Sequence, residues 1–584
     1  MATARSPRPV IAPLALDRFR TCEVTGLRVH APVERLIVFN AVGAVLSLAV
    51  GGVLALLIAL TRWEAVALLP PELYYRFVSA HGTLMLVFWI VFFEVAVLLF
   101  GGTILINAKL KFVQFAWTYS TLMAAGAVIT TVTALSGRAN NMFTAYPPMV
   151  NHPAFYLGIL LFAVGALCAS GHFVHQVWSA KREGVIAGPM PLVVYALLAA
   201  AIIAIWTLLH GALAYTPALL QSLGLITVDP AVYRLLFWGF GHGAQQINLA
   251  AMVAAWYALA ALTVGARPVN EGLSRFAFFL YLIGINMGSM HHLLVDPGVG
   301  MHARIINTSY FMYAALLGSL IHAFSIPAAI ETAQRARGFT TGLFGWLRHG
   351  PWKEPGFSSL MISFIGFGFI AGVSGVLMGT MQLNMLIHNT FFVVGHFHAT
   401  VVLGTTMAFM GLSYYVVPLV LRRDLAFRNM AQWQPYVFGG GLLALIAGMM
   451  VTGKLGAPRR TWDISSSLSP LPVETLSTST IAFWNAVIGV GAAVAVVGGS
   501  MYVLIMVATV FLGRRNERPE IGRLGVIAGA NGPESDVAIP DLDHRAPAFQ
   551  APGTTTLVFV FLAFFVAMFV WAFFNLARVG WGVG

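Results

Sequence analysis

Thirteen apolar runs, each between 20 and 34 residues long and able to cross a bilayer as a helix, constrain this chain more than any other feature. Hydrophobic residues make up 59% of the 584 residues, charged residues make up 9%, and the mean hydropathy is +0.82. These values exclude a soluble globular protein. The sequence therefore predicts an all-α polytopic membrane helix bundle of about 13 transmembrane helices. The runs lie near residues 36–61, 77–101, 112–136, 153–178, 191–215, 232–262, 275–295, 305–330, 357–380, 390–420, 434–453, 479–512 and 555–578.

The polar segments between the runs divide the chain into four parts. Residues 1–35 are predicted as a cytoplasmic tail, 36–512 as a twelve-helix core, 513–554 as a cytoplasmic linker and 555–584 as an additional C-terminal transmembrane helix. Most of the 33 Lys and Arg residues lie in segments on the same side as the N-terminus. By the positive-inside rule, this predicts a multi-pass protein of the cell inner membrane with a cytoplasmic N-terminus. The net charge of +12 is explained by this orientation, and no nucleic-acid partner is predicted.

Six histidines share one depth near the outer side of four predicted spans. They are His81, His242, His291, His292, His396 and His398. An imidazole in hydrocarbon requires a hydrogen bond or a metal, and independent core histidines would rarely fall at the same depth. The layer therefore predicts metal binding.

Three of these histidines suit a single ion. His291 and His292 can reach one ion where a helix end is irregular, and His242 from a neighbouring helix would complete a three-imidazole site. Such a site suits copper or zinc and leaves one coordination position open. The two cysteines, Cys22 and Cys168, are too far apart in sequence to indicate a thiolate site.

The other three histidines suit heme. His81 and His398 can bind the two faces of one heme and make it six-coordinate. His396 and His398 point about 200° apart on their helix, so they cannot share a ligand. His396 alone would leave a second heme five-coordinate, facing the three-histidine metal.

Four motifs in this helix order resemble subunit I of the heme-copper oxidase superfamily, over nearly the whole chain and most closely its B-type branch. They are HG at 81–82, GH at 241–242, HHLLVDPG at 291–298 and HNT…GHFH at 388–398. The resemblance implies the fold of that subunit, with 36–512 as its catalytic core, two hemes of b or a type and one copper ion. It implies the following ligands: His81 and His398 for the low-spin heme, His396 for the high-spin heme, and His242, His291 and His292 for copper.

A loop motif carries a further implication. GAPRRTWD at 456–463 resembles the outer loop of the family in which two arginines bind heme propionates, which implies that role for Arg459 and Arg460. An arginine pair by itself is also typical of a solvated surface loop. His388 would either join this propionate network or form a hydrogen bond at the start of its helix.

One position departs from the family pattern. Gln246 lies four residues after His242, where oxygen-reducing A-type and B-type members carry a redox-active tyrosine. An amide cannot supply an electron and a proton as a phenol can. Reduction of two NO to N2O needs only two electrons, so this residue set favours a nitric oxide reductase with Gln246 and Gln245 as candidate catalytic residues. The alternative is a B-type cytochrome c oxidase that reduces O2 to water with proton translocation.

Protons and electrons must also reach such a centre. Glu94, about 20 Å along its helix from His81, is predicted to admit protons. Thr308 and Ser309 are further candidates in a span that resembles the K-type route of B-type oxidases, although membrane hydroxyls also bond to their own backbone. Electrons are predicted to come from a second subunit with an outward-facing copper or heme domain, from cytochrome c or from quinol. A transporter would instead place polar residues at mid-depth.

Overall fold

The computed structural model describes residues 18–23, 26–140, 142–186, 188–284, 288–296, 298–462, 478–519 and 551–577. In these ranges the long helices, in chain order, are α1 Ala31–Thr61, α2 Pro71–Gly101, α3 Val113–Leu135, α4 Pro153–Arg182, α5 Leu192–Ser222, α6 Pro230–Val264, α7 Glu271–Gly284, α8 Leu316–Ala336, α9 Pro355–Gly379, α10 Phe391–Leu421, α11 Arg428–Lys454, α12 Ser479–Phe511 and α13 Pro552–Ala577. All of them except α7 are long and apolar enough to cross a membrane. The prediction of an all-α membrane bundle is confirmed.

The predicted seventh span is described in two pieces. The run at 275–295 corresponds to α7, described over Glu271–Gly284, and to a 3-10 helix at Ser289–Leu293. The described part of the chain therefore contains twelve candidate spans where the sequence predicts thirteen. His291 and His292 lie in the 3-10 turn, as expected for neighbouring histidines at an irregular helix end. A 3-10 turn has only about three residues per turn and poorer hydrogen bonds than an α-helix, which suits a short, site-building segment.

Local sequence signals set the ends of α6, the helix that carries His242. Asp229 caps the helix by accepting hydrogen bonds from the amides of Ala231 and Val232 at 2.8 and 3.0 Å. Pro230 stands at the first helical position, where its missing N–H is not needed. Gly265 ends the helix with a φ of +64°, a left-handed conformation that glycine adopts without steric cost.

One end of the bundle, which we call the histidine end, is built from the loops 62–70, 136–152, 223–229 and 455–462 and the short segments before α8 and α10. Long-range hydrogen bonds tie these loops together: Arg62 donates to the carbonyl of Thr461, and the indole of Trp462 donates to the carbonyl of Leu69. At the opposite end, a short antiparallel hairpin of Phe19–Thr21 and Arg28–His30 precedes α1.

Four of the six predicted metal-ligating histidines lie on the most buried long helices. In their most apolar windows, α2, α6 and α10 are 78%, 89% and 83% buried, whereas α13 has no buried residue in its window. The three helices that carry His81, His242 and the His396/His398 pair are therefore the centre of the bundle, and α13 packs on its outside.

The last helix, α13, is held at both of its ends. The carboxylate of Glu331 is fully buried and accepts hydrogen bonds from the amides of Gly553 and Thr554 at 3.1 and 2.7 Å, which caps the start of α13. Arg335 forms an ion pair with the same carboxylate at 2.7 Å. Near the other end, the ammonium of Lys454 lies 3.9 Å from the ring centre of Trp571.

Replacing Glu331 with alanine is expected to destabilise the docking of α13 by about 3–5 kcal/mol, because a half-buried arginine and two helix N-terminal amides lose their fully buried partner. Hydrogen exchange of the α13 amides would report this as faster local opening. The matched control is Glu271→Ala, which breaks an exposed pair with Arg275 and is expected to change exchange by no more than about 0.5 kcal/mol. Equal protection of α13 in both variants would contradict the anchoring role.

Candidate functional site

A large cavity lies in the histidine half of the bundle. It has a volume of about 770 Å³ and is lined mainly by apolar side chains from α1, α2, α6 and α9–α12. All six histidines of the predicted layer line it: His81, His242, His291, His292, His396 and His398. The structure thus brings together residues that are up to 317 positions apart in the chain.

His81 and His398 face each other across part of this cavity. Their ring centres are 6.5 Å apart and their ring planes differ by 16°. Two imidazoles that bind opposite faces of one iron through nitrogens at about 2 Å have ring centres about 6 Å apart, so the pair fits one heme iron. The Nδ1 of His81 is bonded to the carbonyl of Gly51 at 2.9 Å, and the Nδ1 of His398 to that of Val394 at 2.8 Å. These bonds leave each Nε2 free to bind a metal.

His396 is oriented separately. Its Nδ1 lies 2.9 Å from the hydroxyl of Ser374, so its Nε2 is the nitrogen available for a metal. Gly375 lies beside the imidazole, and a Cβ at this position would come within 3.0 Å of the ring. The glycine therefore leaves room for the ring and for a planar group beside it.

Irregular helix turns accompany these ligands. A π-helical stretch at His398–Thr406 begins at one of the histidines of α10, and another at Leu84–Phe88 follows His81 in α2. Such turns are frequent at functional sites because they change which side chains face a given direction. Gly395 allows a close approach of α10 to α11, since a Cβ there would come within 2.7 Å of the Met450 side chain.

His242, His291 and His292 form the candidate metal site. One ring nitrogen from each of them lies within 4.8 Å of the other two. Three nitrogens on one ion at about 2.0–2.1 Å would lie within about 4 Å of one another, so small ring movements suffice to bind it. The indole of Trp238 stacks on His292 with ring centres 3.9 Å apart and planes within 5°, which fixes the plane of that imidazole.

Gln246 contacts this group of histidines directly. Its Nε2 lies 3.4 Å from the Nε2 of His242, one helical turn earlier on α6. Its Oε1 is buried and has no hydrogen-bond partner among the described residues. Gln245 also lines the cavity, but no bond joins it to a described histidine. Gln246 is therefore the amide placed to orient His242 and to bond a small ligand.

Several arginines gather at the histidine end above the cavity. Arg459 and Arg460 both line the cavity, and Arg460 has a φ of +65°, a strained conformation for a residue with a side chain. The structure adds two arginines that the sequence does not single out. Arg62 lines the cavity and donates to the carbonyls of Pro458 and Thr461, and Arg234 forms an ion pair with Asp296 at 2.8 Å.

Charge in this arginine group is unbalanced. Burial, followed by the charge of Arg460, lowers the pKa of Arg459 to about 9. Burial, followed by the charge of Arg459, lowers the pKa of His388 to about 3, and its Nδ1 bonds to the Oδ1 of Asn384 at 2.9 Å. Burial is the larger cause of both shifts and neighbouring arginines are a smaller one, so several cationic groups lie close together in a buried setting. Carboxylates such as heme propionates would supply the missing negative charge, so the residues fit the group.

Two separate groups of hydrogen bonds lie between α6, α7 and α8, one nearer the opposite end of the bundle and one nearer the cavity. The hydroxyl of Tyr257 donates to Ser274 at 3.0 Å and lies 3.0 Å from the Nδ1 of His322. Closer to the cavity, the hydroxyl of Tyr281 lies 3.1 Å from that of Ser319, which lines the cavity. These buried polar side chains form a candidate route for protons.

The predicted hydroxyl candidates lie elsewhere. Thr308 is in the segment before α8 at the histidine end and donates to the carbonyl of Arg304 in its own helix at 2.8 Å. That bond is the backbone alternative expected for membrane hydroxyls. The side chain of Ser309 lies outside the described residues.

Comparison with known sequences gives a family match over most of the chain. A family model described as Cytochrome C and Quinol oxidase polypeptide I matches residues 35–519. The cytochrome c oxidase subunit 1 of Thermus thermophilus is 29% identical over 395 residues, which span 67% of this chain and 69% of that protein. The cytochrome c oxidase subunit 1 of Synechocystis sp. is 23% identical over 388 residues, spanning 60% of this chain and 63% of the relative.

Comparison with solved structures concerns the fold. A heme-copper terminal oxidase dimer determined by cryo-EM superimposes with a TM-score of 0.77, covering 92% of this chain and 92% of that one at 23% identity. The chain therefore shares the fold of that protein over most of its length.

Proposed function

The chain belongs to the cytochrome c and quinol oxidase polypeptide I family, subunit I of the heme-copper oxidases, and on this premise we propose that it reduces nitric oxide to nitrous oxide. Family membership makes it an oxidoreductase of respiratory electron transport and a multi-pass membrane protein. Members of the family bind hemes and copper and act in multisubunit complexes supplied by cytochrome c or quinol.

The proposed cofactor positions follow from the three histidine groups. His81 and His398 would hold a low-spin heme, His396 a high-spin heme, and His242, His291 and His292 a copper ion, with Arg459, Arg460 and His388 at the propionates. When bound, these groups supply the electrons and the gas-binding positions. The protein itself fixes four of these imidazoles, those of His81, His398 and His396 through bonds to Gly51, Val394 and Ser374, and that of His292 through stacking on Trp238.

The contact between Gln246 and His242 is the observation that favours nitric oxide as the substrate. A redox-active phenol beside that histidine would supply the additional electron and proton needed to cleave O2, and an amide cannot do so. Coupling of two NO to N2O and water takes two electrons and two protons and needs no such side chain. Gln246 would instead orient His242 and donate a hydrogen bond to a bound small molecule.

A second candidate is reduction of O2 to water with proton translocation. It is favoured by the relatives, since the curated proteins described above are named cytochrome c oxidase subunit 1. In that case the phenol would have to come from another position. Tyr281, the tyrosine on α7, bonds to Ser319 and not to a metal-site histidine.

The remaining assignments extend this proposal. The inner membrane is the proposed location, with the N-terminus in the cytoplasm. A second redox subunit with an outward-facing copper or heme domain is the proposed partner, with cytochrome c or quinol as donor. Protons would reach the cavity along Ser274, Tyr257, His322, Tyr281 and Ser319, whose hydroxyls and imidazole can each accept and release a proton.

The proposal is tested by measuring NO and O2 consumption side by side, with the same purified complex and the same electron donor. We expect faster turnover of NO than of O2, with N2O as product. Rapid, complete four-electron reduction of O2 with negligible NO turnover would reject nitric oxide as the substrate and support the oxidase.

Metal analysis gives a separate prediction. We expect two hemes and one copper ion per chain, because three imidazoles without a carboxylate suit copper better than ferrous iron, which gains more from an anionic oxygen ligand. Total iron, heme iron and copper would be measured on the same sample. Stoichiometric non-heme iron without copper would reject the copper assignment while leaving both heme sites intact.

A further inference from the structure

We propose that Glu94 passes protons into the central cavity from a separate small cavity, and that Asn248 fixes which carboxyl oxygen carries the proton. This route is distinct from the chain through Tyr257 and His322. The inference rests on the proposed function as a respiratory reductase, but not on which gas is reduced, because both reactions consume protons at the same cavity.

Glu94 is an acidic side chain with no charged partner among the described residues. It lies in α2, well inside the bundle, and is 8% exposed. Acidic residues inside a membrane span are costly and usually pair with a base or serve in transport of ions or protons. None of the described ion pairs involves Glu94, so pairing does not explain its presence.

Asn248 connects Glu94 to the centre of the bundle. With its nitrogen facing Glu94, its amide donates to the Oε1 of Glu94 at 3.1 Å and to the carbonyl of Ala244 at 3.2 Å. Asn248 also lines the central cavity, together with Gln245 and Gln246. One amide thus contacts the buried carboxyl group on one side and the cavity of the histidines on the other.

A small cavity next to Glu94 can hold the waters that bring protons to it. It has a volume of about 40 Å³ and lies between α2, α4, α5 and α6, where Glu94 and Ser170 are its polar lining residues. A buried water needs about 10–15 Å³, so the cavity has room for two or three. The hydroxyl of Ser170 is already bonded to the carbonyl of Ala166, which leaves Glu94 as the principal partner of such waters.

The proton step balances without a further reagent. Because Asn248 donates to Oε1, the proton of the neutral acid resides on Oε2. Glu94 does not line the central cavity itself, so its carboxyl group turns past Asn248 to release that proton to a water there. Glu94 then becomes a carboxylate stabilised by the amide hydrogen bond. A water chain in the small cavity then returns one proton to Oε2. No electron moves, and the net result is transfer of one proton.

The two routes lie on opposite faces of α6. Asn248 and Tyr257 are nine residues apart, and at about 100° per residue they point about 180° from each other. Glu94 approaches the face that carries Asn248, whereas His322 approaches the face that carries Tyr257. Each route can therefore be blocked without touching the other.

The test uses the complete, cofactor-loaded complex and measures proton uptake with a pH-indicating dye in a single turnover. Glu94→Gln is expected to slow proton uptake roughly 100-fold, the usual size of a lost proton-transfer group, while the heme spectra stay unchanged. Ala204→Val, which fills the small cavity and keeps Glu94, is expected to slow the same step. The matched control, Ser47→Ala, removes a buried hydroxyl that bonds to the carbonyl of Gly43 in its own helix and lines neither cavity, and it is expected to change the rate less than about twofold.

Infrared difference spectra of the reduced and oxidised protein give a readout that does not depend on folding of a variant. We expect a carboxyl C=O band from Glu94 in the unaltered protein, shifted by D2O and by Asn248→Leu and lost in Glu94→Gln. A spectrum of the unaltered protein without such a band, or wild-type proton uptake in Glu94→Gln, would overturn the inference. Absence of turnover with either gas in the unaltered protein would instead reject the proposed function.

Discussion

Replacing His81 or His398 with alanine is expected to remove the absorption of the low-spin heme, whereas replacing His242, His291 or His292 is expected to spare both hemes and remove the copper. The reason is geometric. The rings of His81 and His398 face each other with their centres 6.5 Å apart. The three histidines of the candidate metal site each place one ring nitrogen within 4.8 Å of the other two. Optical spectra and copper analysis of each variant would separate the two outcomes.

Turnover is expected to be lost in both groups. A metal centre supplies several kcal/mol of barrier lowering, which corresponds to a rate loss of more than about 100-fold when it is absent. His396→Ala is expected to abolish CO binding by the high-spin heme. His175→Ala is the control, because this imidazole lies near the opposite end of α4, contacts Ser179 and lines no part of the central cavity.

One outcome would contradict the ligand assignment most directly. A His396→Ala protein with a normal CO-binding heme would show that another residue holds that heme. Likewise, loss of the low-spin absorption in His292→Ala would mean that the two histidine groups are not independent. Either result would change which cofactor each of the six histidines is assigned to, but not the family to which the chain belongs.

The six histidines could be predicted because depth along an apolar run follows from helix rise alone. The same arithmetic gives the membrane fold, since the length and hydrophobicity of each run are local properties. Even the irregular turn at His291 and His292 is indicated by the sequence, because neighbouring side chains on a regular helix could not both reach one ion. Most of the fold and most of the candidate ligands can therefore be predicted from local sequence.

The partners of these residues could not be predicted in the same way. Arg62 is a single basic residue after α1, and its bonding partners near Thr461 are 399 positions away. Ser374, which orients His396, is one of many membrane serines. Helix rise puts Glu94 about 20 Å from His81, yet Glu94 contacts Asn248, only about 9 Å along α6 from His242. Helix crossing angles and the tilt of side chains toward the N-terminus decide such contacts, and neither is a local property.

Replacing Gln246 with leucine is expected to lower NO turnover about 100- to 1,000-fold, the usual effect of removing one hydrogen-bond donor from a reacting group. Leucine has nearly the same volume, so the cavity keeps its shape while the contact with His242 at 3.4 Å is lost. Heme spectra and copper content are expected to be unchanged. Steady-state NO consumption with a fixed electron donor would measure the loss.

Two further variants decide whether the amide itself matters. Gln245→Leu is expected to have a smaller effect than Gln246→Leu, because Gln245 lines the cavity without a bond to a metal-site histidine. Gln246→Tyr places a phenol one helical turn after His242 and is expected to raise O2 reduction relative to NO reduction, since a phenol can supply the electron and proton that an amide cannot. If Gln246→Leu retained NO turnover within about twofold, Gln246 would only pack against the site. In that case the absence of a phenol at this position would no longer favour nitric oxide, and the oxygen-reducing alternative would gain support.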